Sequence, residues 1–537
     1  MSDPALRGDL EFGTIPQLVR IAADRYGDAA ALVDVDVGIS VTYHDLAIGV
    51  RNAAASWMAC GIGPGDRVAI WAPNTWEWVV AALGAHTAGA VIVPLNTRYK
   101  GREAAYILEK SGARALATVV GFLDTDYVGL LRAAVDVERE LPALHTILVL
   151  RGDAPAGTVS GADFADRGTR IKPADVEHRC DAVAPDDLSD ILFTSGTTGA
   201  PKGVMTTHAQ NLRAFRDWAD VVGLRAGDRY LVVNPFFHSF GYKAGILAAL
   251  MTGATLYPHA VFDADAVLAR IPRDGISMIP GPPSLFQAIL ARPDLDQYDI
   301  STLRLAVTGA APTPVSLVEQ MRDRLGFENV ITGYGLTEAC GIATMCRHDD
   351  DPVTIANTSG RAIPGVEVRA IDDDGTEVAR GEPGEIVVRG YNVMRGYFEA
   401  PEETAHAIDA DGWLHTGDIG VMDERGYVRI TDRKKDMFIV GGFNAYPAEI
   451  ESLILGHPAV AQAAVIGVSD DRLGEVGWAF VVRKPGAALE ADELISWCRD
   501  EMANFKVPRH VEFCDALPMN ATGKVLKYEL RERASRG

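Results

Sequence analysis

The chain has 537 residues, 48% of them hydrophobic and 23% charged, with a formal net charge of −22. That length exceeds what one hydrophobic core serves, so two or more domains are expected. The acidic balance argues against nucleic acid as a partner and against a polybasic membrane anchor, since both reward clustered Lys and Arg. An anionic ligand has to be held by local donors.

The N-terminal stretch MSDPALRGDLEF carries neither a basic n-region nor an apolar h-region, and no apolar run approaches the ~18 residues of a membrane span. The six cysteines (Cys60, Cys180, Cys340, Cys346, Cys498 and Cys514) form no C-x-x-C pair, which argues against a disulfide framework or a zinc site. The expectation is a cytoplasmic protein without stable membrane insertion.

In chain order, VTYHDLAIGVRNAAASWMACGI has helical spacing and ends at Gly61, and DRVAIWAP is a short strand stopped by Pro73. EWVVAALGAHTAGAVIVPLN reads as helix then strand. The alternation returns at DRYLVVNPFFH, LRLAVTGAAP and NVITGYGLTEA, which predicts an α/β architecture with ligands at the carboxyl ends of the strands. From about 360 the texture turns to antiparallel strands, in GVEVRAIDDDGTEV and GEIVVRGYNVMRGYF. After the charged DRKKD segment, AEIESLILGHPAVAQAAVIGV reads as helix then strand and ADELISWCRDEMANF as an amphipathic helix. The predicted fold class is a large multi-subdomain N-terminal α/β domain, 1–433, and a small mobile C-terminal α+β domain, 434–537.

The sharpest local signal is DILFTSGTTGAPKGV, 190–204. SDILF reads as a strand, and a helix follows with Thr207 as its N-cap and Leu212, Phe215, Trp218 and Ala219 on one face. The loop between them combines Thr194, Ser195, Gly196, Thr197, Thr198 and Gly199 with Lys202. Glycines let backbone N–H groups converge into an anion nest, hydroxyls add donors and the lysine adds charge, which suits a polyphosphate. It is not a Walker A loop: Lys202 stands three residues after Gly199, and Gly523–Lys524 is followed by Val525. No G-x-G-x-x-G follows a strand, and no G-x-S-x-G elbow presents Ser195 as a nucleophile.

FTSGTTGAPKG resembles the phosphate-binding signature of the adenylate-forming superfamily, which includes acyl-CoA synthetases, adenylation domains and firefly-type luciferases. The resemblance continues in the expected order through NPFFHSFG (234–241), VTGAAP (307–312), YGLTEA (334–339), DGWLHTGDIG (411–420), DRKKDMFIVGGFNAYPAEIE (432–451) and NATGKVLK (520–527). It implies a two-step ligase: a carboxylate attacks the α-phosphate of ATP, giving an acyl-adenylate and pyrophosphate, and the thiol of CoA then displaces AMP.

The resemblance also assigns roles. Glu338, with Thr194, would bind Mg²⁺ at the triphosphate, and Thr337 would donate to the α-phosphate. Tyr334 and Gly335 would flank the adenine, with Gly309, Ala310 and Ala311 as backbone on its other face. Asp418 would accept the ribose hydroxyls, with Arg433 near the ribose or phosphates. His238 would line the acyl pocket; a lone His among Phe residues is otherwise a core histidine. Lys524 would be the catalytic lysine of adenylation, and Lys435 the hinge about which the small domain turns. Gly441 and Gly442 would then reach the pantetheine tunnel. Homodimers are common in the family.

The segment FFHSFGYKAGILAALMTGATL is read as a pocket-lining helix in which Gly241, Ala244 and Gly245 leave room for a bulky acid. Lys243 is unexpected there. Either Lys243 or Tyr242 hydrogen-bonds a polar group such as a ketone on the acid, or Lys243 snorkels to solvent. Together with GPPSLFQ, these segments are similar to a narrower group, the CoA ligases of bacterial steroid-ring breakdown, which act on an indanedione propanoate. A medium- or long-chain fatty acid or another cyclic acid stands as the alternative substrate. A carrier-protein-loading enzyme, a luciferase-like oxygenase and a non-catalytic ATP-binding protein stand as alternative activities.

Overall fold

The structure, a computed structural model, describes residues 11–194, 201–309, 313–433, 436–440, 443–470, 473–502, 504–519 and 525–535. Among these residues the strands form four sheets. In the first, Ala30–Asp34, Thr255–Pro258, Arg229–Val232, Met278–Pro280, Leu305–Thr308 and Asn329–Tyr334 lie side by side in parallel. In the second, Leu188–Thr194, Val91–Pro94, Arg67–Trp71, Ala115–Phe122 and Thr146–Arg151 are also parallel. Parallel strands are covered on both faces, so they read as unbroken apolar runs rather than alternation. Val68, Ala69, Ile70 and Trp71 are accordingly all fully buried.

Helices cover these sheets where the sequence periodicity places them. Tyr43–Ala59 starts at a capping box, in which Thr42 and Asp45 satisfy each other's backbone N–H groups. Trp76–Thr87 lies between the strands Arg67–Trp71 and Val91–Pro94. Both large sheets share one continuous core that includes Trp57, Trp71, Trp78 and Trp218. The change of texture near 360 is an antiparallel four-stranded sheet of Val366–Ile371, Pro383–Gly390, Leu414–Met422 and Val428–Arg433.

The C-terminal strands Phe438–Val440, Phe443–Ala445, Val460–Asp470, Gly474–Arg483 and His510–Phe513 form the fourth sheet. Helices Pro447–Ile454 and Ala491–Glu501 pack on it around a separate core that includes Phe438, Ile450, Ile454 and Leu494. The chain thus has a large N-terminal α/β part and a small C-terminal part with its own hydrophobic centre.

Two local expectations are corrected. Lys202 does not lie in a loop: Lys202–Thr207 is a strand, antiparallel to Leu188–Thr194, and Lys202 pairs in register with Thr194. The helix expected after His238 begins as a π-helix, Phe240–Leu247, and becomes α-helical only over Ala248–Thr252. The wide turn brings Gly241 against its own approach segment, where a Cβ would run into the carbonyl oxygens of Asn234 and Pro235. At Gly245 a Cβ would meet Val232 Cγ1 at 3.1 Å. Both glycines serve close packing on the side where a Cβ would stand.

Candidate active site

Several of the singled-out residues stand at the ends of parallel strands: Thr194 closes Leu188–Thr194, Gly309 follows Leu305–Thr308 and Tyr334 closes Asn329–Tyr334. Asn329–Tyr334 runs into a short 3₁₀ turn, Thr337–Ala339, that presents Thr337 and Glu338. This turn is tightly folded back. A Cβ on Gly335 would collide with the carbonyl of Gly341, and Cys340 and Gly341 both have positive φ, at 56° and 102°. A non-glycine residue at positive φ is uncommon and points to a constrained backbone. The Ser239 hydroxyl, next to His238, donates to the Cys340 carbonyl at 3.2 Å, which ties this turn to the His238 segment.

Glu338 is partly buried and held from two sides. Its carbonyl accepts from the Met394 N–H at 2.8 Å, and its Oε1 accepts from the Tyr397 hydroxyl at 3.0 Å. Tyr397 lies on the short strand Gly396–Tyr397, which extends the Leu188–Thr194/Lys202–Thr207 hairpin by pairing with Val204. The Lys202 ammonium sits 5.2 Å from the centroid of the Tyr397 ring, in cation–π range. Burial, and then the Glu338 charge, pushes the Tyr397 pKa up, so the phenol remains a donor. Tyr397 was not anticipated. Nothing local marks it, because its place depends on a two-residue strand pairing with a distant hairpin.

Tyr334, at the end of its strand, donates its hydroxyl to Asp418 Oδ2 at 2.6 Å. Asp418 is mostly buried and lies opposite Arg433 in the antiparallel register. Gly309 follows the neighbouring strand Leu305–Thr308, where a Cβ would stand 3.6 Å from the Gly333 carbonyl oxygen. The structure therefore groups Thr194, Lys202 and Glu338 through Tyr397, and Tyr334, Asp418 and the Arg433 backbone through the third sheet. Ser195, Gly196, Thr197, Thr198, Gly199, Ala310, Ala311, Lys435, Gly441, Gly442 and Lys524 lie outside the described residues.

His238 is exposed and is not a core histidine. Its Nδ1 accepts from the Phe240 N–H at 3.2 Å. Desolvation, and then the Lys243 charge, holds its pKa below the ordinary imidazole value.

Lys243 meets neither expectation made for it. It is fully buried, and its Nζ lies 3.0 Å from Asp190 Oδ1 and 3.0 Å from Thr206 Oγ1. Buried charge survives only when paired and hydrogen-bonded, which this arrangement provides. The Tyr242 hydroxyl is likewise engaged within the protein, 2.7 Å from His86 Nε2. Both polar groups thus have their partners within the protein. The signal for this pair was visible as an aspartate inside the apolar run SDILF.

Among the described residues no group of three or more His, Cys, Asp or Glu side chains forms a metal cage. A partly buried carboxylate with hydroxyls nearby does suit Mg²⁺, which takes one or two carboxylates and completes its shell with phosphates and water.

Residues 19–398 match the AMP-binding enzyme family and residues 449–524 match the AMP-binding enzyme C-terminal domain. The chain is 51% identical over 524 residues to the 3-[(3aS,4S,7aS)-7a-methyl-1,5-dioxo-octahydro-1H-inden-4-yl]propanoyl:CoA ligase of Rhodococcus jostii (strain RHA1), covering 97% of this chain and 98% of that protein. It is also 51% identical over 520 residues to the ligase of the same name from Mycobacterium tuberculosis (strain ATCC 25618 / H37Rv), covering 97% and 98%. Among solved structures, the anthranilate CoA ligase AuaEII in complex with anthranoyl-AMP superposes with a TM-score of 0.86 at 28% identity, covering 98% of each chain. ATP-bound MatB from Rhodopseudomonas palustris gives 0.84 at 31% identity, covering 97% of this chain and 99% of that one. The chain belongs to the AMP-binding enzymes of the adenylate-forming superfamily, as an ATP-dependent, AMP-forming acyl-CoA ligase.

Proposed function

We propose that the acid is a bulky, keto-bearing bicyclic propanoate of the steroid-derived type. The observation that carries this reading is the 51% identity, along almost the whole chain, to two ligases named for such an acid. The chain would activate the propanoate carboxylate as an acyl-adenylate and pass the acyl group to CoA.

A carboxylate cannot expel oxide, so the chemistry consists of bringing two anions together and stabilising charge at phosphorus. In our reading Tyr334 and Gly335 hold the adenine against the backbone of Gly309, Ala310 and Ala311, and Asp418 accepts the ribose hydroxyls near Arg433. The Ser195–Gly199 nest, Thr337 and Lys202 hold the phosphates. Glu338 and Thr194 are the residues that fit Mg²⁺, which when bound neutralises phosphate charge. His238 borders the acid as a neutral imidazole. Lys524 reaches both carboxylate and phosphate during adenylation, and a turn about Lys435 withdraws it while Gly441 and Gly442 come to line the thiol path. We place the boundary between the two domains at 433/434, the protein in the cytoplasm and its assembly as a homodimer. Among the described residues no helix is long and apolar enough to cross a membrane.

The test is to incubate the protein with ATP, Mg²⁺ and CoA against straight-chain fatty acids, aromatic acids and keto-bearing bicyclic propanoates, following AMP and acyl-CoA. Preferred turnover of the bicyclic acid supports the reading, and preference for a fatty acid overturns it. AMP and pyrophosphate without acyl-CoA would point to a carrier protein as acceptor.

A further inference from the structure

We propose that the buried Lys243–Asp190 ion pair is a positioning device for the adenylation step, fixing the π-helix beside the acid against the hairpin that carries the phosphate loop. The inference rests on the reading above, in which the loop after Thr194 holds phosphates and the His238 segment borders the acid.

The two ends of the pair belong to the two reactant-bearing elements. Asp190 is on the strand Leu188–Thr194, four residues before the strand ends and the loop follows, and Lys243 is on the π-helix that starts two residues after His238. Both side chains are fully buried, with Nζ and Oδ1 3.0 Å apart. The remaining valences are filled. Asp190 Oδ2 accepts from Asn211 Nδ2 at 2.6 Å and from the Ser189 hydroxyl at 2.7 Å. Asp190 Oδ1 also accepts from the Thr206 hydroxyl at 2.8 Å. Strand, return strand, the helix His208–Val222 and the π-helix thus meet at one carboxylate.

Such a network is a poor choice for stability alone. Desolvating two charges offsets most of their attraction, and well-packed apolar residues of like volume serve as well or better. What charges add is direction, since apolar surfaces can slide where a satisfied ion pair has one arrangement. Direction is what adenylation needs, because attack requires the carboxylate oxygen within about 3–3.5 Å of phosphorus, and small displacements cost large factors in rate. Once acyl group and phosphate are joined in the acyl-adenylate, their separation is set by covalent bonds and the device is no longer required. The pair should therefore matter for one half-reaction and not the other.

The experiment compares wild type with the double variant Asp190→Leu/Lys243→Met, using whichever acid the wild type adenylates best. Pyrophosphate release reports adenylation, CoA thioester formation from supplied acyl-adenylate reports thiolation, and thermal unfolding reports the scaffold. The expected result is adenylation reduced on the order of 30-fold, thiolation within about twofold of wild type and an unfolding temperature equal to or above it. Adenylation within twofold of wild type overturns the proposal, as does an equal loss in both half-reactions. Thr206→Val loosens the pair without removing a charge and supplies the same comparison should the double variant not fold. It should show a smaller loss confined to adenylation, and an equal loss in both halves overturns the proposal. A wrong substrate reading is seen separately, as a different preferred acid of the wild type, and leaves the ratio of the two half-reactions measurable.

Discussion

The Tyr397 hydroxyl donates to Glu338 Oε1 at 3.0 Å while the Lys202 ammonium rests 5.2 Å from the centre of the same ring. One phenol therefore links the carboxylate expected at the metal to the lysine expected at the phosphates. Its donor fixes one rotamer of Glu338 before any ligand arrives. Tyr397→Phe keeps the ring and its cation–π contact but removes the donor. A hydrogen bond to a charged group is worth about 1.5–3 kcal/mol, of which part is regained by water at a half-open site. Adenylation should fall about tenfold, with a raised Mg²⁺ requirement and an unfolding temperature near wild type. An unchanged Mg²⁺ dependence of pyrophosphate release would disprove the link.

Tyr334 and Asp418 make a second such pair, at 2.6 Å. The phenol aligns the carboxylate that is to accept the ribose. Tyr334→Phe preserves a stacking face and loses that alignment. The KM for ATP should rise roughly 3- to 10-fold with kcat less affected, in line with ~1 kcal/mol for a solvent-competed hydrogen bond. Steady-state kinetics with ATP as the varied substrate decide it, and a change in kcat alone would contradict the assignment.

His86 supplies a prediction about pH. It is fully buried, and its Nε2 lies 2.7 Å from the hydroxyl of Tyr242, a phenol that burial keeps protonated. The tautomer decides which of the two donates, and burial keeps the imidazole neutral in either case. Burial lowers its pKa from 6.5 to about 4. A folded-state pKa below the unfolded one means that the unfolded chain binds protons first. The contribution to stability is complete above 6.5 and is lost as pH falls towards 4, by on the order of 3 kcal/mol for this group. In His86→Gln, denaturant midpoints should fall less steeply between pH 6.5 and 4 than in wild type. Parallel slopes would remove His86 as the source.

Lys524 reaches the site in our reading only for the first half-reaction. Lys524→Ala should reduce acyl-adenylate formation by ~100-fold or more, the scale of a group that stabilises charge only in the transition state. Thiolation of a supplied acyl-adenylate should stay near wild type. Equal losses in both half-reactions would sink that role.

Much of this was legible in the sequence because the elements are locally coded. The capping box at Thr207 and Gln210 and the αL glycine at Gly223 bound the helix after the phosphate loop by short-range chemistry alone. The alternating texture of 366–433 likewise reports an antiparallel sheet. What was not legible depends on pairing across long separations. The strand at Lys202 is short and reads as loop until its partner is known. Lys243 looked like a ligand-facing or snorkelling lysine because its counter-ion is 53 residues away in the chain. Gly241 looked like space, since composition cannot tell a small residue beside a cavity from one beside a carbonyl.

Gly335 turns that last distinction into a test. It follows Tyr334 and precedes the turn that carries Thr337 and Glu338. A methyl group there would run into the Gly341 carbonyl and the backbone of Ile342, and neither neighbour is the movable end of a side chain. The turn would have to open, carrying Glu338 away from Tyr397 and Tyr334 away from Asp418 together. Gly335 is itself exposed, and the clash meets the main core only at its edge, at Ile342. Gly335→Ala should therefore lose adenylation by about 100-fold, the scale of a misplacement near 1 Å, while the unfolding temperature drops only a few degrees. Thiolation of supplied acyl-adenylate should fall as well, because the nucleotide end of that ligand is held by the same turn. The opposite pattern, a large loss of stability with kcat preserved in the folded fraction, would mean that the close approach serves the scaffold and leaves the placement of Glu338 unaffected.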